Sequence, residues 1–337
     1  MRKRNSTKNS GGAFGAPPGW RQQMKYILKK IIALIITLLV ISLLTFIAFS
    51  LIPGDAALGK LGLNASPEAI EQMRHQMGLD QPVLVRYVKW LFGALQGDFG
   101  MSLKYNNTSV MSLIQSRLPV TIILAVMSLI IIVIVSMPLG LISAKYSKKL
   151  PDTVINQVTQ VTMAIPSFFL GIILTYVFGL LLQMFTVGGY VGPDRDLGAC
   201  LRYLIFPAIA VALPKIAMVV KYLRNSMVSE LGKDYVRTAY SKGAGKNWVL
   251  MRHVLRNALI PVITFVAMVV AEILAGSLVI EQVFSIPGMG RLLVTSISSR
   301  DYPVVQASVL YITAIVVIIN FIVDILYQVA DPRIRTA

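Results

Sequence analysis

Few residues in this sequence are of a type and spacing that could do chemistry. Lys215 and Glu272 stand at depth in the apolar segments Tyr203–Val220 and Leu259–Val283. A charge near the centre of a bilayer costs roughly 2.5–3.5 kcal/mol on insertion scales, which favours an ion pair between the two. Counted from the outer ends of their helices at Leu204 and Val283, both lie 11 positions down, about 17 Å at 1.5 Å per residue. Antiparallel neighbours would bring them together at that depth. Two other readings stand beside pairing: Lys215 facing a watery pore alone, or Glu272 neutralised by a proton. His75 and His253 are too few and too far apart for a metal centre, and Cys200, the sole cysteine, is read as a structural bystander. Gly243-Ala244-Gly245-Lys246 imitates a fragment of a phosphate-binding loop. Tyr240 stands where the first glycine belongs, however, and Asn247 follows the lysine. The chain therefore has no nucleotide site of its own in this reading, no cofactor and no catalytic cluster of the kind a membrane enzyme needs.

The elements that position these residues follow from composition. The chain has 337 residues, 55% hydrophobic and 14% charged, against about 25% charged in a soluble domain. No charge occurs between Lys30 and Asp55, Arg117 and Lys145, Asp152 and Asp194, or Tyr302 and Val323. A span needs roughly 20 apolar helical residues. With the Lys215 and Glu272 segments, six spanning helices are expected, an all-α integral membrane fold. Continuous Ile/Leu/Val runs exclude a β-barrel. The run Ile31–Ile52 is too long for the apolar core of a cleaved signal peptide.

The formal charge of +17 sorts by side rather than pointing to nucleic acid. Basic residues precede the first helix, cluster at Lys145, Lys148 and Lys149, and crowd residues 221–256. The alternate loops are nearly balanced. This positive-inside pattern places both termini in the cytoplasm, and Cys200 outside between helices three and four. Four regions are expected: a disordered basic tail, 1–24; a first helix with an outer surface-helix segment, 25–117; a five-helix core, 118–330; and a cytoplasmic tail, 331–337.

In the outer segment, Ser66-Pro67-Glu68 reads as a helix start, with Gly78 as its stop, and Pro82–Leu95 has helical spacing. Pro138, Pro166, Pro207 and Pro214 are expected to kink or break spans. Pro166, Ser167 and Phe168 lie mid-span in helix three. Between helices five and six, Phe284–Gly290, with Pro287, Gly288 and Gly290, reads as an apolar loop dipping toward a pore mouth, so both groups are candidate gate elements.

Between helices four and five, residues 229–258 are too long for a turn. Gly232 ends the preceding helix, Asp234 can cap a helix Tyr235–Lys242, Gly243-Ala244-Gly245 stops it, and a second helix Trp248–Asn257 runs on through Pro261. Arg237-Thr238-Ala239, three residues and Gly243 resemble the "Glu-Ala-Ala, three residues, Gly" signature of ABC importer permeases. His253-Val254-Leu255-Arg256 stands where that pattern expects Ile-x-Leu-Pro. The departures are those of the peptide/nickel branch. Leu51–Asp55, Met77–Pro82, Gln96–Gly100, Ile165–Gly171, Val283–Gly290, Arg300–Val305 and Asp331-Pro332-Arg333 resemble that branch too.

The resemblance implies a type I importer fold in the bacterial plasma membrane. Its assembly has a second homologous permease, two ATPases that bind ATP and Mg, and an external binding protein. Residues 229–258 would be the coupling loop seated in an ATPase cleft. Arg237, Thr238, Ala239 and Gly243 carry over by position, while Ala244 belongs to the stop and composition adds Trp248, Arg252 and His253. Within the family the solute is a dipeptide or oligopeptide, or else nickel or a metal chelate. A self-sufficient secondary transporter is the rival reading, but the sequence shows no internal repeat.

Overall fold

The computed structural model describes residues 20–51, 65–76, 78–106 and 108–330. The Pro53-Gly54-Asp55 motif, Met77, residues 1–19 of the expected tail and residues 331–337 lie outside them. The first helix, α1, runs Trp20–Leu51 and so begins inside the segment read as tail. Two short helices follow, α2 (Pro67–Gln76) and α3 (Val83–Leu95). Ser66 Oγ accepts from the Ala69 N–H at 3.3 Å, capping α2, and Gly78 takes φ +64° beyond its end. α3 packs on α1 through Tyr87, which shares a 2.8 Å hydrogen bond with Ser42 and meets Phe46 edge-on at 5.5 Å.

The core is built from α4 (Val110–Lys145), α5 (Leu150–Ala164), α6 (Ser167–Leu174) and α7 (Leu197–Leu231). It continues through α8 (Asp234–Ser241), α9 (Lys246–Val249), α10 (Leu255–Val283), α11 (Met289–Ser298) and α12 (Tyr302–Ala330). Wide π turns extend α6 over Thr175–Leu181 and join α9 to α10 over Leu250–Val254. Among the described residues five helices are long and apolar enough to cross a membrane, and α5 with α6, bent by 95° at their break, makes a sixth if the pair is one span. The expected all-helical membrane architecture is present, with five spans or, counting that pair, six.

α7 is the axis of the bundle. In its most apolar stretch 61% of residues are buried, against 11% in the first and sixth spans. Ala208, Ala210, Ala212 and Ala217, each at most 2% exposed, let neighbouring backbones approach closely.

Three expectations need correction. Of the four prolines expected to kink or break spans, Pro166 stands at a break, while Pro138, Pro207 and Pro214 lie inside helices that are not broken there. At Ile165–Pro166 both residues turn extended, which ends α5 and lets α6 start in a new direction. The segment after Val283 is not loop throughout, because the amphipathic α11 fills most of it. Cys200 belongs to the fourth span rather than a loop, and is fully buried beside Tyr190.

Candidate functional site

Residues 229–258 fold as a compact knob. Gly232 closes α7, and α8 starts one residue earlier than its sequence suggests. Asp234 is its first helical residue, not its cap, so its carboxylate meets the free N–H groups of the first turn by charge alone. Gly243 takes φ +82°. Its N–H donates to the Tyr240 carbonyl at 2.9 Å, and the Ala244 N–H donates to the Ala239 carbonyl at 3.1 Å. This crossed pair satisfies the orphan carbonyls of α8 and requires the left-handed conformation that glycine tolerates.

Burial divides the knob into a root and a crown. Val236, Val249 and Val254 are at most 1% exposed and join the main core. Arg237 and Trp248 point away, with Trp248 54% exposed and set edge-on to His253 at 4.8 Å. A cleft of ≈ 620 Å³ opens beside Trp248, lined by Thr238, Ala239, Gly243, Ala244, Trp248 and His253 among others. Arg237 and Arg252 are exposed on the knob and are not among the residues lining it. Beneath, Tyr235 donates to Glu230 at 2.7 Å while Lys233 pairs with the other carboxylate oxygen, and Ser226 donates to the Ala258 carbonyl at 3.1 Å. Burial pushes the Tyr235 phenol above its ordinary pKa; the Asn257 hydrogen bond opposes this and Glu230 adds to it.

Next to the knob lies a cluster that the sequence did not announce. Arg224 donates to Asp152 from Nε at 2.6 Å and from Nη2 at 2.7 Å. Ser143, the Lys148 N–H and Asn156 donate to the same carboxylate at 2.6, 2.8 and 2.6 Å. The turn after the second span is thereby clamped to α7 where α7 enters the knob. An acid isolated beside Lys145, Lys148 and Lys149 was the available signal.

At the opposite end, Glu281 is fully buried. It is a second acid within Leu259–Val283, beside Glu272. It accepts from Thr121 Oγ1 at 2.5 Å and from the N–H groups of Gly290 and Arg291 at 2.7 and 3.3 Å. The carboxylate thus caps α11, where backbone donors and helix dipole both favour negative charge. Pro287, Gly288 and Gly290 are held by this network and do not form a free loop. Asp301, also fully buried, accepts from Ser102 at 2.5 Å and from the Leu103 and Lys104 N–H groups at 3.1 and 3.2 Å, fastening the outer segment to the start of α12. Pro166, Ser167 and Phe168 sit at the bend of the third span, with Phe168 46% exposed. They reach the Glu281 region through Gly171, whose position packs against Ile280 and Phe284.

Between the two ends, Lys215 Nζ contacts Glu272 Oε2. The antiparallel register of α7 and α10 that brings them together also stacks Tyr222 on Phe265, with centroids 4.3 Å apart and planes 8° from parallel.

Comparison with known proteins finds relatives along most of the chain. The family described as "Binding-protein-dependent transport system inner membrane component" matches residues 136–336, and the N-terminal family of the same system matches residues 23–125. A putative peptide transport system permease protein of Brucella abortus is 40% identical over 310 residues, covering 92% of this chain and 98% of the relative. The oligopeptide transport system permease protein AppB of Bacillus subtilis is 38% identical over 312 residues, covering 92% and 99%. The glutathione transport system permease protein GsiC of Escherichia coli is 36% identical over 312 residues, covering 93% and 99%.

Proposed function

The chain belongs to the family of binding-protein-dependent transport system inner membrane components, and from that premise we propose that it is one of two permease subunits of an ATP-driven importer of peptides. The names of its relatives, which refer to peptides, oligopeptides and glutathione, support the solute class. The knob supports the coupling role. A lever that transmits force must be stiff at its root and open at its crown, and burial of Val236, Val249 and Val254 beneath exposed Arg237 and Trp248 has that form. This division carries the reading. The crown cleft then meets an ATPase partner that holds ATP and Mg, and an external binding protein delivers the solute on the other side. The basic knob and both termini face the cytoplasm, by the positive-inside rule.

The test is uptake of a labelled tripeptide into proteoliposomes holding both permeases, both ATPases and the binding protein. Uptake is expected with ATP and should vanish when the ATPase partners cannot hydrolyse it. Uptake that persists with inactive ATPases would support a secondary transporter instead. Uptake of a nickel chelate but not of the tripeptide would reassign the solute.

A further inference from the structure

Acidic side chains within the spans differ in how the fold uses them. Asp152 and Glu281 are 2% and 0% exposed, and donors surround each carboxylate. Asp324 pairs with Lys30 at 2.5 Å near the end of α12, at a depth water can reach. Glu272 fits neither pattern. Its side chain is 52% exposed, and among the described residues its carboxylate accepts from Lys215. The pair is deep: Lys215 lies about 27 Å from one end of α7 and about 24 Å from the other, at 1.5 Å per residue.

A half-exposed carboxylate at that depth is costly against lipid, so the face carrying it belongs against a water-filled route. One side of α10 exposes Met268, Glu272, Ala275, Val279 and Gln282, so the charge and the amide stand on an otherwise apolar face. The Tyr222–Phe265 stack lies about two turns from the pair toward the knob. Such a strip offers charge, amide and aromatic surface, and it is left open by the packing of this one chain.

We propose that the Lys215–Glu272 pair is a charge-exchange site on the wall of the translocation route, which recognises the charged groups of a passing peptide. This rests on the permease reading above. A side-chain ammonium of the peptide takes the place of Lys215 on Glu272, or a side-chain carboxylate takes the place of Glu272 on Lys215, so the charge that a side chain adds to the zwitterionic peptide does not cross the centre of the membrane alone. The exposure of Glu272 keeps the resting pair weak enough to open. Asp152, bound by a bidentate arginine and three further donors, has no such freedom.

The experiment uses the complete complex in proteoliposomes and three labelled peptides, Ala-Lys-Ala, Ala-Glu-Ala and Ala-Ala-Ala. Rates are normalised per assembled complex and to wild type, which cancels the preference of the binding protein. Glu272→Gln is expected to slow Ala-Lys-Ala about five-fold more than Ala-Glu-Ala, and Lys215→Met to show the opposite bias, the size of one partly screened charge pair. If a single variant does not assemble, the double variant Lys215→Gln/Glu272→Gln leaves no lone charge. It should slow both charged peptides relative to Ala-Ala-Ala. Equal effects on all three peptides, or none, would overturn the proposal and leave a structural pair. Absence of ATP-dependent uptake in the wild type would instead overturn the permease reading.

Discussion

The carboxyl carbon of Glu281 lies 2.3 Å from the point where a Cβ on Gly288 would stand. The glycine leaves the space in which the acid caps α11, and the two residues form one device. Gly290 is constrained as well, since a Cβ there would stand 2.4 Å from the Leu278 backbone.

Gly288→Ala should therefore push the carboxylate off the Gly290 and Arg291 N–H groups, costing about 1–3 kcal/mol as an overpacked site. Glu281→Ala leaves the Thr121 hydroxyl and the Gly290 N–H without their acceptor, at about 1–3 kcal/mol for each buried group. Both changes break the same network, so the double variant should lose less than the sum. Thermal unfolding of the purified complex in detergent measures this. Strict additivity would show that the two residues act independently.

The knob gives a second prediction. Gly243→Val places a β-branched residue at φ +82°, a conformation costing roughly 1–2 kcal/mol without branching. It should deform the α8 terminus rather than the spans. Arg237→Glu reverses charge on the crown without touching the root. Both variants should insert and assemble yet lose most solute-stimulated ATP hydrolysis. Full stimulation in both would place the ATPase contact elsewhere.

These sites were not equally legible in the sequence. The spans could be read because a bilayer forces long uncharged runs, and Gly243 because a positive-φ stop has few substitutes. Pro166 could not be told from Pro138, Pro207 and Pro214, since neighbouring helices decide whether a freed carbonyl finds a partner. α11 was hidden because Pro287-Gly288 just before it and Met289-Gly290 at its start read locally as turn. Glu281 and Arg224 become meaningful only through partners 160 and 72 positions away. Lys215 and Glu272 were findable at a separation of 57, because a charge within an apolar helix draws attention and adjacent antiparallel helices fix a register.

Breaking the Asp152 clamp gives a third prediction. Removing one partner of a buried pair costs about 3–5 kcal/mol, because the other charge is left uncompensated. Arg224→Met should therefore destabilise the complex more than the double variant Asp152→Asn/Arg224→Met, in which no full charge stays buried. Because the clamp lies beside the knob, coupling between solute and ATP hydrolysis should weaken in the single variant at temperatures where it remains assembled. Equal melting of the single and double variants would deny the clamp its electrostatic role.

The last prediction concerns the bent third span, and it decides topology. Cys200 is fully buried, so it should stay silent toward a membrane-impermeant thiol reagent and need not be removed. Single cysteines at three exposed positions, Gln72→Cys, Arg195→Cys and Lys242→Cys, bracket the spans. If α5 and α6 together cross the membrane, two crossings separate residue 72 from residue 195, and three separate residue 72 from residue 242. Residues 72 and 195 should then label in intact cells and residue 242 only after permeabilisation, the arrangement that the charge distribution favours. If the 95° bend instead returns the chain to the side it came from, residues 72 and 242 share a side and residue 195 lies opposite. The basic knob and the balanced outer segment would then face the same compartment, which the positive-inside rule disfavours. That labelling pattern would remove the third span and, with it, the assignment of the knob to the cytoplasm.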